Sequence, residues 1–183
     1  MACQRIRFFL EKVSSQLAKR LFGLDVQVSR IFKLNMAFAP LRGALGKIID
    51  FQPDLIIVYY VADFISEQQI LKIQQAAKAP VVFYLMDMGM LTGACHYAWD
   101  CPGYRGRCEI CPIARQSWVQ RLIARKWSSR RKLFKEINPL IVSGSEQLDI
   151  QVKRSGLMQG FWSEKILIGI DPDLYTPHAK QEA

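Results

Sequence analysis

Two uninterrupted apolar runs, Leu55–Val61 and Val81–Leu85, lie one amphipathic segment apart. Runs without polar alternation suit strands covered on both faces, the usual condition of a parallel sheet. Parallel neighbours need a crossover, and the chain between the runs supplies one. Ser66 and Gln69 form a capping box ahead of a helix over Glu67–Lys78, and Pro80 closes it. The alternation extends both ways. Phe9, Leu10, Val13, Leu17 and Leu21 share one face of a helix over Arg5–Leu21, with Gly23 as its stop. Val26–Phe32 alternates like a half-buried strand, and Leu41–Asp50 reads as a short helix. Past the second run come a helix over 114–137, a strand at Pro139–Ser143, a helix over Ser145–Ser155 with Gly156 as its stop, and a last strand at Lys165–Ile170. The pattern predicts a Rossmann-like three-layer α/β domain with a mostly parallel sheet over residues 1–177, followed by a tail, His178–Ala183.

The chain has 183 residues, half of them apolar and 22% charged, so it can build a core without disulfide staples. That balance excludes a disordered or collagen-like chain. The longest apolar candidate, Leu55–Ala62, falls far short of the roughly 18–20 residues of a membrane span. Met1–Leu10 has Arg5 and Arg7 but no long apolar centre, so we expect no secretory leader and a reducing, cytoplasmic setting. The formal net charge of +9 calls for an anionic partner.

Residues 87–113 form a long irregular stretch rich in Gly, Cys, Pro and aromatic residues, and loops of that length are usually functional or cross-linked. Four of the five cysteines sit there, Cys95, Cys101, Cys108 and Cys111, spaced C-x5-C-x6-C-x2-C. The closing C-x-x-C pair can chelate one tetrahedral ion, and Cys95 with Cys101 can supply the other half of a structural zinc site. The spacing leaves two alternatives open: disulfides or packed free thiols, and an iron–sulfur cluster. Redox catalysis by the C-x-x-C pair is disfavoured, because the pair does not open a helix directly after a strand.

No acidic residue lies between Glu109 and Glu136, whereas Arg115, Arg121, Arg125, Lys126, Arg130, Arg131, Lys132 and Lys135 do. Trp118, Leu122, Trp127 and Phe134 are interleaved with them. Such a helix turns its basic face to solvent, or rests on an anionic membrane with Arg121, Arg125, Lys126, Arg130, Arg131 and Lys132 toward the lipid headgroups. Nucleic acid is not expected, since no nucleic-acid-binding motif accompanies the charge.

Leu91-Thr92-Gly93-Ala94-Cys95-His96-Tyr97 resembles the Thr-Gly-Gly-Cys-His-Tyr signature of a subgroup of family 4 glycosyltransferases, whose spaced cysteines run on to a Cys-Pro pair, here Cys111-Pro112. Pro53-Asp54-Leu55-Ile56 is similar to that family's Pro-Asp-Ile-Ile strand start, and Ser143-Gly144-Ser145 to its Ser-Pro-Ser turn. Ile168-Gly169-Ile170-Asp171, then Tyr175 and Pro177, resembles its Asn-Gly-Ile-Asp segment. The likeness covers roughly Leu21–Pro177.

The resemblance implies one half of a GT-B fold, the N-terminal, acceptor-side domain of an enzyme of bacterial surface-polysaccharide synthesis. It implies a nucleotide sugar as donor substrate, held by a separate donor-side domain carrying Glu-x7-Glu. A glycan or lipid-linked acceptor would lie against Thr92, Gly93, His96 and Tyr97, with Asp87 as candidate catalytic residue and the protein peripheral on the inner face of the cytoplasmic membrane. The chain alone is expected not to transfer sugar. Two departures matter: Met86-Asp87 replaces the family's His-Asp, and Tyr59-Tyr60-Val61 replaces a segment that often holds a His. The family's first strand and Gly-rich turn are expected to be missing or replaced by Met1–Phe9. For Asp87 a loop-capping role stands beside the catalytic one, and for His96 a packed imidazole stands beside a sugar contact. A non-catalytic module binding glycan, membrane or protein is the alternative function. A metal-dependent nucleic-acid binder is a third.

Overall fold

The computed structural model describes residues 42–60, 65–114 and 116–175. The helix expected at Arg5–Leu21, the strand at Val26–Phe32, Arg115 and the tail at His178–Ala183 lie outside these residues. In chain order the elements are α1 (Arg42–Phe51), β1 (Ile56–Val58), α2 (Glu67–Ala77), β2 (Val81–Leu85), a 3-10 turn (Pro102–Arg105), α3 (Ser117–Ile137), β3 (Leu140–Ser143), α4 (Glu146–Arg154) and β4 (Ser163–Lys165). The four strands are parallel and lie in the order β1-β2-β3-β4. Helices flank them, giving the expected Rossmann-like α/β domain.

Local chemistry sets the helix ends. Ser66 Oγ accepts from the Gln69 N–H, and the Gln69 side chain accepts from the Ser66 N–H at 2.8 Å, so the capping box is formed. α2 stops at Lys78 in the left-handed region, and α3 stops at Asn138 in the same way, with Pro139 behind it. Ser145 caps α4, which carries Glu146 and Asp149 in its first turn and Lys153 and Arg154 in its last, matching the helix dipole at both ends.

The strand register sends Val58, Val81, Phe83, Leu85 and Ile141 to one face. There they meet Ile70 of α2, Trp127 and Phe134 of α3, and Leu148 and Val152 of α4 in one core. Phe83 and Phe134 pack ring to ring at 5.0 Å. The alternate row includes Ile57, Val82 and Tyr84, which are exposed or half-buried. A smaller cluster of Ala94, Cys111, Ala114, Val119 and Ile123 joins the first turns of α3 to the cysteine loop.

Four expectations need correction. The first apolar run is a strand only at Ile56–Val58, because Tyr59 and Tyr60 turn out to the surface. The last strand forms at Ser163–Lys165, because its partner β3 ends at Ser143; past it, the Ile166 and Ile168 N–H groups still donate to the Ser143 and Gly144 carbonyls. Gly156 does not stop α4, which ends one residue earlier at Ser155. A Cβ at Gly156 would sit 2.5 Å from the Gly106 carbonyl oxygen, so Gly is needed for the close chain approach. The basic helix begins at Ser117, because residues 111–114 are occupied by a turn closed by the Ala114 N–H on the Cys111 carbonyl.

Arg130 also departs from its expected place. The buried positions of α3 are Val119, Ile123, Trp127, Arg130, Phe134 and Ile137, so Arg130 sits on the apolar face with 4% of its surface exposed. Its Nε donates to Glu67 Oε1 at 2.7 Å, and one terminal nitrogen donates to the carbonyls of Gly89 (2.6 Å) and Thr92 (2.7 Å). Burial pushes the Glu67 carboxyl up, but the Arg130 charge, the residue's own backbone N–H and Lys126 outweigh it and hold its pKa below the ordinary value.

Breaking this pair should be costly, since it leaves a buried carboxylate without its hydrogen-bonded guanidinium. We expect Arg130→Met to lower unfolding free energy by about 3–5 kcal/mol in urea titrations. Glu67 has a depressed folded pKa, so its contribution is present above the unfolded value and is lost as pH falls below 4.5. In Glu67→Gln this part of the acid sensitivity should disappear.

Candidate functional site

In open parallel sheets, side chains from the loops at the carboxyl ends of the strands form the usual ligand crevice. Here β2 ends in Leu85-Met86-Asp87, and the chain turns at Gly89 and folds back. The Met88 N–H donates to the His96 carbonyl at 2.9 Å and closes that return. The closure brings two separate candidates together. His96 Nδ1 lies 2.5 Å from Asp87 Oδ2, with side chains 14% and 17% exposed. The second oxygen, Oδ1, accepts from the Gly89 N–H at 2.8 Å. Asp87 thus serves both as a loop-capping carboxylate and as the partner of an imidazole.

An ionised carboxylate only accepts, so Nδ1 carries the proton, and Nε2 of the neutral ring keeps a lone pair. Such a pair can accept a proton at Nε2 and stabilise the resulting imidazolium. The Tyr60 ring lies 5.5 Å from the imidazole, and Tyr59 lies 5.2 Å from Tyr84. Tyr97 and Trp99, exposed on the same loop, are 6.4 Å apart. Of these rings, Tyr60 lies directly against the pair.

Two residues expected to contact substrate do not face outward. Thr92 is 2% exposed, and its Oγ1 both donates to the Cys95 carbonyl (2.6 Å) and accepts from the Cys95 N–H (2.8 Å). Gly93 lies where a Cβ would come within 2.5 Å of Ile123 Cγ2. They build the loop under Cys95 and His96, and of the expected contacts only His96 and Tyr97 reach the surface.

All four loop cysteines line one small pocket with about 30 Å³ of free space, together with Ala94, Ala98 and Tyr104. The cysteines are free thiols. Cys111 is pushed down to about 6 by the Cys95 S–H donated to it; burial opposes this, and the backbone N–H groups of Ile113 and Ala114 add to it. Cys95 is pushed up by the same contact and then by burial. Burial also raises Cys108, against the Gly93 N–H donated to its sulfur at 3.4 Å. Among the described residues, no three His, Cys, Asp or Glu side chains stand close enough to share an ion as they are.

The basic helix sorts its cations. Arg121, Arg125 and Lys132 are exposed, Lys126 is half-buried near Glu67, and Arg130 is internal. Arg131 donates to the carbonyls of Leu157 and Gln159, both at 2.6 Å, and lies over Phe161. The expected anion-binding surface therefore loses Arg130 to the interior and has Arg131 tied down. What remains is a stripe of Trp118, Arg121, Leu122, Arg125 and Lys132 at helical spacing. No helix among the described residues is long and apolar enough to cross a membrane.

Sequence reasoning treated Asp87 and His96 separately and missed Tyr60 and Gly89 as their neighbours. The available signal was Asp-x-Gly at a strand end, where a short polar side chain caps a turn. Comparison with protein-family models, curated proteins and solved structures returns no match.

A Cβ at Gly89 would come within 2.9 Å of Asp87 Oδ1 and 3.1 Å of His96 Nδ1. Gly89→Ala should therefore separate the pair while leaving the fold in place. Nitrogen-15 NMR of the His96 ring should show the Nδ1 proton losing its hydrogen bond. An unchanged ring spectrum would count against the geometry.

Proposed function

We propose that this chain is the acceptor-side half of a glycosyltransferase acting in bacterial surface-polysaccharide synthesis. The observation that carries the reading is the Asp87–His96 pair at the carboxyl edge of a parallel sheet, with the Tyr60 ring against the imidazole. An acceptor hydroxyl must lose its proton as its oxygen bonds to the sugar. Nε2 of His96 can take that proton, and Asp87 holds the ring in the required tautomer and stabilises the charge it gains. Sugar rings present apolar C–H faces, which suit the exposed rings of Tyr60, Tyr97 and Trp99. The nucleotide sugar and the groups that stabilise its departing diphosphate belong to a donor-side domain or partner.

A lipid-linked acceptor fits the stripe on α3. The first turns of α3 pack beside the loop of the site, since Gly93 lies against Ile123. Trp118 and Leu122 supply apolar contact for an anionic bilayer surface, and Arg121, Arg125 and Lys132 supply charge, worth about 1 kcal/mol per cation near such a surface.

Paired with a donor-side GT-B domain, the chain should release nucleoside diphosphate from a nucleotide sugar when given a polyprenyl-diphosphate-linked saccharide. His96→Ala should slow that release by about 10²–10⁴-fold. Equal rates in the variant and the parent would overturn the catalytic assignment. In a vesicle co-sedimentation assay with phosphatidylglycerol, the chain should bind in a salt-sensitive way. Arg121→Glu with Arg125→Glu should release it, and equal binding to neutral vesicles would remove the membrane part of the reading.

A further inference from the structure

We propose that Cys95, Cys101, Cys108 and Cys111 form a four-thiolate zinc site that holds the loop presenting Asp87 and His96. The inference does not rest on the glycosyltransferase reading. All four side chains border the same pocket, although they are spread over Cys95–Cys111 and separated by a single 3-10 turn. Apart from the thiols the lining is largely apolar, including Ala94, Ala98, Pro112 and Ile123. Among the described residues no carboxylate or imidazole borders the pocket, so sulfur is the strong ligand it offers.

A backbone donor already serves one of the sulfurs: the Gly93 N–H reaches Cys108 Sγ at 3.4 Å. Donors aimed at sulfur support thiolates, the form a metal binds. Cys95 and Cys111 border this pocket together, and a metal ion would replace their thiol protons. Cys101 and Cys108 flank Gly103, where a Cβ would stand 3.3 Å from Cys101 Sγ and 3.8 Å from Cys108 Cα. They have to close on the first pair to reach zinc–sulfur distances of about 2.3 Å.

Four thiolates around one small pocket match the ligand set of a single structural zinc ion. Each ligating thiol gives its proton to solvent. The loaded site carries about two net negative charges, which the N–H donors and the nearby Arg130 guanidinium offset.

The consequence for the site follows from adjacency. Cys95 and His96 are consecutive, and Thr92 clamps both backbone groups of Cys95. Fixing the Cys95 sulfur therefore fixes the backbone that sets the His96 ring against Asp87.

The test uses the full chain, purified under reducing conditions from zinc-supplemented cells. Metal analysis should return about one zinc per chain, falling below about a tenth in Cys108→Ser and Cys111→Ser. Since those variants can fail to fold, the parent protein carries a second measurement. Cobalt exchanged for zinc should give the visible spectrum of a tetrahedral tetrathiolate. Chelation should expose 87–113 to protease and release the His96 ring from Asp87 in NMR spectra, and zinc should reverse both. Metal-free protein with a Cys95–Cys111 disulfide by mass spectrometry would overturn the proposal, as would bound iron in place of zinc. An unchanged His96 signal after chelation would overturn the positioning role.

Discussion

The described fold turns on one guanidinium. Arg130 reaches Glu67 at the start of α2 and the carbonyls of Gly89 and Thr92 in the loop after β2, all from within α3. Two helices and the site loop are thereby joined by hydrogen bonds that only a five-donor planar cation can make together. Lysine would offer one point charge and could not serve the carboxylate and both carbonyls in that geometry. The arrangement is stabilising only because every member is satisfied. A buried ion pair left half-made is worse than an apolar contact.

The loop beyond that anchor has two chemical sides. Asp87 and His96 form an oxygen–nitrogen pair near the surface, while the four thiols face a small apolar pocket beneath. Cys95 and His96 are neighbours in sequence and belong to opposite sides. The glycines allow this. Gly89 leaves room for the Asp87–His96 contact, and Gly93 lets the chain pass against α3. A larger residue at Gly89 would part Asp87 from His96, and one at Gly93 would push the loop off Ile123 of α3.

Much of the architecture was legible because its signals are local. The capping box and the apolar runs depend on residues within four places of one another, so Ser66 with Gln69 and Val81–Leu85 were read correctly. Strand lengths were not, because β1 stops at Val58 while β2 runs on to Leu85, and β4 starts opposite Ile141, properties of pairing that no single segment contains. The role of Arg130 was hidden by its company in a run of cations. Yet its phase with Trp127, Phe134 and Ile137 placed it on the apolar face, and that phase outweighs composition. In the site, Asp87 and His96 each stood out as chemistry-bearing. Their pairing depends on a loop closure through Met88 that spacing does not encode.

The same reasoning explains which of the remaining surface residues can cooperate. α3 starts at the sheet edge where β2 ends and runs back along the sheet, as a parallel crossover must. Its first exposed residues, Trp118, Arg121, Leu122 and Arg125, therefore lie near the loop of the Asp87–His96 pair, and Lys132 lies farther back. A cation stripe placed anywhere else on the molecule would attract an anionic surface without directing the site toward it. Under the proposed reading, this placement brings the headgroup region and the proton-accepting imidazole to one end of the domain. An acceptor anchored in lipid would then reach His96 over a short distance, while the carboxyl edge of the sheet stays open to a donor.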